Sequence, residues 1–106
     1  MPMHARVVRS RVSPERLDEF AAGVEGAAAE IQGLAGFRHG YVLLDRQRGE
    51  ALTITLWESA EQRDAAAPVA RQILGAAATA TGAAVGELSG CEVGADIPPA
   101  RSDRTP

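Results

Sequence analysis

Residues 37–62, FRHGYVLLDRQRGEALTITLWESAEQ, decide how this chain of 106 residues folds. Two runs within this stretch, residues 37–44 and 51–57, are rich in β-branched, aromatic and leucine residues, which is typical of strands. The polar residues between the two runs include Gly49, which can adopt a positive φ in a turn. The sequence therefore predicts an antiparallel β-hairpin.

The second strand of this hairpin has two chemically different faces, because successive side chains of a strand point to opposite sides. One face carries Leu52, Ile54 and Leu56. The other face carries Thr53, Thr55 and Trp57. We expect helices to cover the face with Trp57 and a different partner to cover the aliphatic face.

A helix is predicted directly after the hairpin. Ser59 and Gln62 have the spacing of a capping box. Pro68 interrupts the helix, since proline lacks a backbone N–H, so we predict a short helix to about Ala66 and a second segment from near Pro68. This second segment ends within residues 82–86. Its apolar stripe consists of Val69, Ile73, Ala77 and Ala80.

The chain before the hairpin is predicted to form a strand and an amphipathic helix. Residues 4–12, HARVVRSRV, are arginine- and valine-rich and favour a strand. Ser13 and Pro14 then provide a helix start, with the hydroxyl placed to cap and the proline at the first helical position. Gly33 and Gly36 mark the end of this helix. Its apolar residues recur at helical spacing at Leu17, Phe20, Val24, Ala28 and Ile31.

The end of the chain completes the fold prediction. Residues 88–93 favour a last strand, and residues 95–106, with three prolines, favour a disordered, solvated tail. The order is β-α-β-β-α-β, which predicts an α+β, ferredoxin-like fold with an antiparallel sheet and both helices on one face. Residues 1–94 form the single domain.

The aliphatic sheet face predicts self-association. Burying each of its large side chains is worth about 1.5 to 3 kcal/mol. The core is thin as well, because 21 of the residues are alanine. A second copy of the sheet is the obvious cover, so we expect a homodimer in which two sheets form a dimeric α/β barrel.

Composition excludes several functional classes. The chain has no lysine, so a Walker loop and Schiff-base chemistry are excluded. Cys91 is the only cysteine, which predicts a small buried hydrophobe in or near a strand and no metal site. The net charge of −3 with few aromatic residues argues against nucleic acid as a partner. We find no membrane span and no signal-peptide h-region, so we expect a cytoplasmic protein.

Three segments resemble one family. Residues 13–20 (SPERLDEF), Gly36-Phe37 and especially Trp57-Glu58-Ser59 are similar to the antibiotic biosynthesis monooxygenase-like proteins of the dimeric α/β barrel superfamily. The resemblance extends over about residues 3–94. It implies a pocket between sheet and helices. Some members of this family oxidise aromatic anthrones or quinols with dioxygen and no cofactor, and others degrade haem.

The resemblance also implies candidate site residues. The polyketide oxygenases of the family pair the Trp that Trp57 matches with an Asn, and Thr53 stands at the position of that Asn. The haem-degrading members use a strand-one Asn, which His4 approximates, and a helical His that residues 65–70 lack, which disfavours haem degradation. This chain contains no Asn, so a mechanism that depends on an asparagine carboxamide can operate here only if Thr53, Thr55 or His4 substitutes for that residue. We predict His4 and Trp57 as catalytic residues and the two threonines as substrate-binding residues; Trp57 equally fits a core position.

Two interpretations remain for other polar side chains. His39 and Tyr41 share one face of their strand and are predicted to contact substrate, with His39 a potential general base; alternatively, both lie at the dimer interface or barrel rim. Arg6, Arg9 and Arg11 either pair with acids at the sheet edge, or one of them binds an anionic oxygen of an aromatic substrate.

Two functions follow as expectations. The first is a cofactor-independent monooxygenase of a small aromatic molecule of the anthrone or quinol type. The second is a non-catalytic, dimeric module of the same fold that binds a small ligand.

Overall fold

A computed structural model describes residues 2–100 of the chain. One antiparallel sheet has the strand order β2-β3-β1-β4, where β1 is His4–Arg11, β2 Phe37–Asp45, β3 Glu50–Trp57 and β4 Ala84–Glu92. The helices are α1 Leu17–Gly26, α2 Ala29–Gln32, α3 Ala60–Ala65 and α4 Ala67–Thr81. This architecture is the ferredoxin-like α+β fold that the sequence predicts.

The helices cover the predicted face of the sheet. Leu17, Phe20 and Leu74 pack in one core cluster with Val8 and Ala51 of the sheet. A second cluster surrounds Trp57 and consists of Ile31, Ala66 and Ile73. The strand alternation derived from the hairpin sequence is therefore confirmed.

Within residues 2–100, no helix or strand covers the opposite sheet face. The register aligns Leu43 with Leu52, Tyr41 and Val7 with Ile54, and His39 with Leu56. Tyr41 is 53% exposed and Leu43 is 47% exposed. We call the surface formed by Val7, Tyr41, Leu43, Leu52, Ile54 and Leu56 the open face.

The first helical region differs from the prediction in its regularity. Residues Pro14–Arg16 form a 3₁₀ turn, and Ser13 makes no side-chain capping hydrogen bond, so its predicted capping role is wrong. The helix also breaks between Gly26 and Ala29, where Ala27 bonds back to Val24 in a tight turn. Gly23 and Gly26 weaken this helix, and packing of the apolar stripe holds the two pieces.

The second helical region follows the prediction closely. Ser59 Oγ accepts a hydrogen bond from the backbone N–H of Gln62 at 3.1 Å, which confirms the cap. Gln62 does not return a bond, because its side chain lies against Gly36 and its buried Oε1 has no partner among the described residues. The predicted stripe of α4 is right at Ile73 and Ala77, but Ala80 is exposed.

Strand β4 begins four residues before the predicted start at Leu88. The helix ends at Gly82, which has a φ of 78°, and Ala84 already pairs with Arg11. Gly86 lies so close to the carbonyl oxygen of Arg9 that a Cβ would collide with it. The glycines therefore belong to a helix stop and a bulged strand.

The end of the chain is described only in part. Cys91 lies in β4, as expected, but it is exposed, so the prediction of a buried thiol is wrong. Residues 95–100 carry no helix or strand. The remainder of the predicted tail, residues 101–106, lies outside the described residues. Within residues 2–100, no helix has the length and apolarity needed to cross a membrane.

Candidate functional site

A cavity of about 620 Å³ lies between the sheet and the helices, where the resemblance implies a pocket. We call it the central cavity. Its sheet side includes Arg6, Val8, Val42, Thr53 and Thr55. Its helix side includes Val24, Ala28, Ile31, Ala70 and Ile73. Alanines at the cavity wall leave space that larger side chains would fill.

The volume and lining match those of small-molecule sites. Such sites commonly enclose about 300–1,000 Å³ and combine apolar walls with a few polar groups. Here the walls are mainly aliphatic, and the polar side chains from the sheet are Arg6, Arg38, His39, Tyr41, Thr53 and Thr55.

Arg6 is the buried charged group of the sheet side; Arg38 also lines the cavity, but its side chain is exposed and pairs with Glu58 at 2.9 Å. Its side chain is only 8% exposed. Arg6 Nη2 donates to the backbone oxygen of Arg63 at 3.1 Å, and lies 3.4 Å from Asp64 Oδ1. Burial lowers the pKa of Arg6 from its ordinary value, and Arg63 and Arg71 lower it further, whereas Asp64 raises it. The guanidinium remains charged, because an arginine side chain is not deprotonated in proteins.

The two predicted threonines lie side by side on β3. Both line the central cavity. Thr53 Oγ1 is buried and has no hydrogen-bond partner among the described residues. Thr55 Oγ1 accepts a hydrogen bond of 2.9 Å from Trp57 Nε1. Thr53 therefore has unused hydrogen-bonding capacity at the cavity, and Thr55 links the cavity to the buried indole.

Trp57 lies behind the cavity lining. It is 1% exposed and packs edge-on against Phe37, with ring centroids 5.4 Å apart. Phe37, Ile31 and Ile73 contact Trp57 or its cluster and also line the cavity. The ring thus occupies a core position, and its indole N–H reaches the site through Thr55.

The other predicted site residues are spread over two places. The rings of His39 and Tyr41 contact each other at a tilt of 40°, with centroids 4.7 Å apart. Both residues line the cavity along β2, while their register places them on the open face. His4 is half-buried at the start of β1, paired with Trp57 in register and outside the cavity lining. The hydrogen bond from Arg63 is the main cause that lowers the pKa of Asp64, and His4 lies close enough to that carboxylate to lower it slightly further.

The structure separates the three strand-one arginines. Arg9 is exposed and pairs with Glu50 at 2.9 Å, and Arg11 is also exposed. Arg6 alone of the three lies on the helix-covered side. The alternation of β1 could have distinguished Arg6 from the other two, because positions 9 and 11 share a parity that position 6 does not.

The described residues offer little for a metal ion. Among residues 2–100, no cluster of three or more His, Cys, Asp or Glu side chains could hold one. The site is therefore defined by an apolar cavity, a buried cation and two hydroxyls.

A ferredoxin-like antiparallel sheet with helices on one face and a cavity between the two layers defines the fold class of this protein. A match to a family model then shows the family to which the chain belongs. The model of the antibiotic biosynthesis monooxygenase family matches residues 3–67, and the chain belongs to that family. The resemblance carried by the Trp57-Glu58-Ser59 step is confirmed.

Solved structures share the fold across nearly the whole chain. SnoaB from Streptomyces nogalater, a cofactor-independent oxygenase, is 20% identical with a TM-score of 0.64, and the alignment covers 92% of this chain and 98% of SnoaB. The heme-degrader MhuD from Mycobacterium tuberculosis is 22% identical with a TM-score of 0.64, and the alignment covers 90% of this chain and 99% of MhuD. A dimeric ferredoxin-like protein from an uncultured marine organism is 12% identical with a TM-score of 0.67, and the alignment covers 92% of this chain and 100% of that protein. At these identities the likeness shows the fold alone. No curated protein sequence matches the chain.

Proposed function

We propose that this protein is a cofactor-independent oxygenase that binds a small aromatic molecule in the central cavity. The observation that carries the proposal is the cavity itself, about 620 Å³ of mainly aliphatic lining, in which Arg6, Thr53 and Thr55 are the polar side chains of the sheet side that are not exposed. Membership of the monooxygenase family and the fold shared with SnoaB support the reaction class.

The reaction needs an electron-rich substrate. An anthrone that loses a proton becomes a carbanion, which transfers electrons to dioxygen. The methylene group becomes a carbonyl, one oxygen atom enters the product and the other leaves as water, so the balance is R₂CH₂ + O₂ → R₂CO + H₂O. The substrate supplies all the electrons.

The chain contributes binding, orientation and a dry environment. The helix side of the cavity packs against the rings and excludes water, which strengthens polar interactions inside. The hydroxyls of Thr53 and Thr55 contact the polar atoms of the substrate, and Trp57 positions Thr55 through its hydrogen bond. His39 and Tyr41 contact the substrate where it reaches the β2 edge. His4 stays a catalytic candidate that turnover by His4→Ala tests directly.

A binding module without catalysis is the second candidate. Among the described lining residues, Glu25 is the only carboxylate and His39 the only imidazole, and both are exposed. The cavity interior therefore contains no buried base, which favours simple binding or a substrate that ionises in solution.

The assembly in this proposal is a homodimer formed through the open face. The exposed halves of Tyr41 and Leu43 and the adjacent aliphatic side chains of β3 form one apolar surface. The dimeric protein of the same fold supports this assembly. Two open faces packed together form a closed dimeric α/β barrel.

Oxygen consumption together with fluorescence tests the two functional candidates. Anthrones, quinols and haem are each added to the protein in chelator-treated buffer, and dioxygen uptake, product mass and Trp57 emission are recorded. The oxygenase proposal expects an anthrone or quinol to be consumed faster than in buffer, with equal amounts of dioxygen. Quenching of Trp57 without dioxygen uptake supports the binding module. Absence of both quenching and uptake contradicts both candidates.

A further inference from the structure

We infer that the central cavity selects an aromatic ligand that carries an anionic oxygen, a carboxylate or a phenolate, and that this oxygen binds the Arg6 guanidinium. The inference rests on the proposed function and names its ligand class. Anion selection by Arg6 is separable from oxygenation, because it concerns binding alone.

The first observation is the buried position of Arg6. A charge removed from water is costly unless it is paired and hydrogen-bonded. The Arg6 side chain is 8% exposed, and it lines a cavity whose other walls are mainly aliphatic. Burial also lowers the pKa of Arg6, because removing the guanidinium from water disfavours its charged form. An anion in the cavity would offset this cost.

The second observation is that Asp64 neutralises Arg6 incompletely. The distance between them is 3.4 Å, whereas strong charge-assisted hydrogen bonds measure about 2.7–2.9 Å. Asp64 is 63% exposed and accepts a shorter bond of 3.0 Å from Arg63 Nε. One carboxylate is therefore shared between two arginines, and Arg71 adds a further positive charge nearby. The local balance is positive.

The third observation concerns donors that the fold leaves unused. A guanidinium has five N–H donors in a planar fork that matches two oxygens of a carboxylate. The hydrogen bonds of Arg6 within the described residues involve Nη2 alone, and they go to Arg63 and Asp64. Thr53 Oγ1, also at the cavity, is buried without a partner. Arg6 and Thr53 together present donors to a ligand oxygen.

A purely structural role for Arg6 makes a different prediction. In that role Arg6 only bonds the backbone oxygen of Arg63 near the end of α3, and its removal would lower stability with no effect on ligand charge preference. Selection by charge separates the two roles, since a packing defect affects neutral and anionic ligands alike.

The test compares two ligands of nearly the same shape, of which one is an anion and the other is neutral. Anthraquinone-2-carboxylate and anthraquinone-2-carboxamide are titrated into the wild-type protein, and Kd is measured from Trp57 quenching. One charge-assisted contact predicts at least about tenfold tighter binding of the carboxylate. In Arg6→Gln the preference disappears and the amide binds as before, whereas Arg6→Lys retains part of it. The control Arg9→Gln changes an exposed arginine of the same strand and keeps the full preference.

A second variant keeps the inference testable if Arg6→Gln fails to fold. Asp64→Asn removes the competing carboxylate at an exposed position, so the carboxylate ligand should bind several-fold tighter and the amide equally well. A phenol arm uses 2-hydroxyanthraquinone, whose phenolate absorbs at longer wavelength. Binding to the wild type should shift its ionisation to lower pH, and binding to Arg6→Gln should not.

The outcomes distinguish this inference from the proposed function. Equal affinity for carboxylate and amide in the wild type, or a preference that survives in Arg6→Gln, overturns anion selection alone. Binding of neither compound contradicts the aromatic cavity and this inference together. Selective binding of the carboxylate without dioxygen uptake by any anthrone supports anion selection and contradicts the oxygenase.

Discussion

Replacing Tyr41 and Leu43 by serine should dissociate the proposed dimer while leaving each chain folded. Both side chains lie on the open face, 53% and 47% exposed in the single chain, and neither is part of the described core clusters. Their removal therefore affects the surface between protomers more than the packing beneath the helices.

The magnitude follows from the exposed fraction. Fully burying a large apolar side chain is worth about 1.5–3 kcal/mol, so covering the exposed half of each side chain contributes about 1 kcal/mol. A twofold interface contains each residue twice, so the double variant loses about 4 kcal/mol. This loss raises the dimer Kd by about a thousandfold.

Sedimentation velocity over a dilution series measures this Kd. The wild type should sediment at twice the chain mass of 11.1 kDa at micromolar concentration, and the double variant at the chain mass. The control carries serine at Ala22 and Ala76, two exposed helical positions, and should remain dimeric. A folded wild-type monomer at micromolar concentration refutes the dimer. A double variant that associates as tightly as the control refutes the use of the open face.

Three further predictions concern stability. Trp57→Phe loses the indole N–H donor and some ring contact, so it should lower the free energy of unfolding by about 1–2 kcal/mol. The Tm should fall by about 5–10 °C, with the fold retained in circular dichroism. An unchanged Tm contradicts the core role of Trp57. Gly75→Ala and Gly82→Ala both place a Cβ in open space, but Gly82 has a φ of 78°, so the first should stabilise by about 0.5–1 kcal/mol and the second destabilise by a similar amount in urea unfolding; equal effects contradict the left-handed stop. The hydrogen bond from Arg63 holds the pKa of Asp64 below its ordinary value, so the ionised carboxylate stabilises the fold at neutral pH, and this stabilisation is lost as the pH falls through the folded pKa. Asp64→Asn should therefore have a lower free energy of unfolding than the wild type at neutral pH and the same free energy of unfolding in acid. A difference that persists in acid contradicts this linkage.

The sequence predicted those parts of the fold that local chemistry determines. Alternation in β3 separated Thr53 from Ile54, and the Ser59 hydroxyl marked the start of α3, because both signals depend only on near neighbours. The start of β4 escaped prediction, since its early residues form a strand only by pairing with β1 across the chain. The burial predicted for Cys91 was wrong for a related reason, because the exposure of its side chain depends on how β4 pairs in the sheet and on which face of β4 carries it.

The candidate site was predictable in location but not in charge. Strand parity and the family resemblance placed Thr53 and Thr55 at a pocket. The burial of Arg6 and its sharing of Asp64 with Arg63 depend on how α3 packs over β1. No pattern within β1 alone shows that packing, although its alternation separates Arg6 from Arg9.

The most direct measurement of the central claim is ligand affinity after the cavity is filled. Ala21 lines the central cavity, and its neighbour Ala22 in α1 is exposed. Ala21→Phe places a ring in the space proposed for the ligand, and Ala22→Phe places the same ring in solvent. With anthraquinone-2-carboxylate as the probe and Trp57 quenching as the signal, Ala21→Phe should bind at least about tenfold more weakly than wild type, and Ala22→Phe should bind equally well. Equal affinity of the two variants would contradict binding in the central cavity.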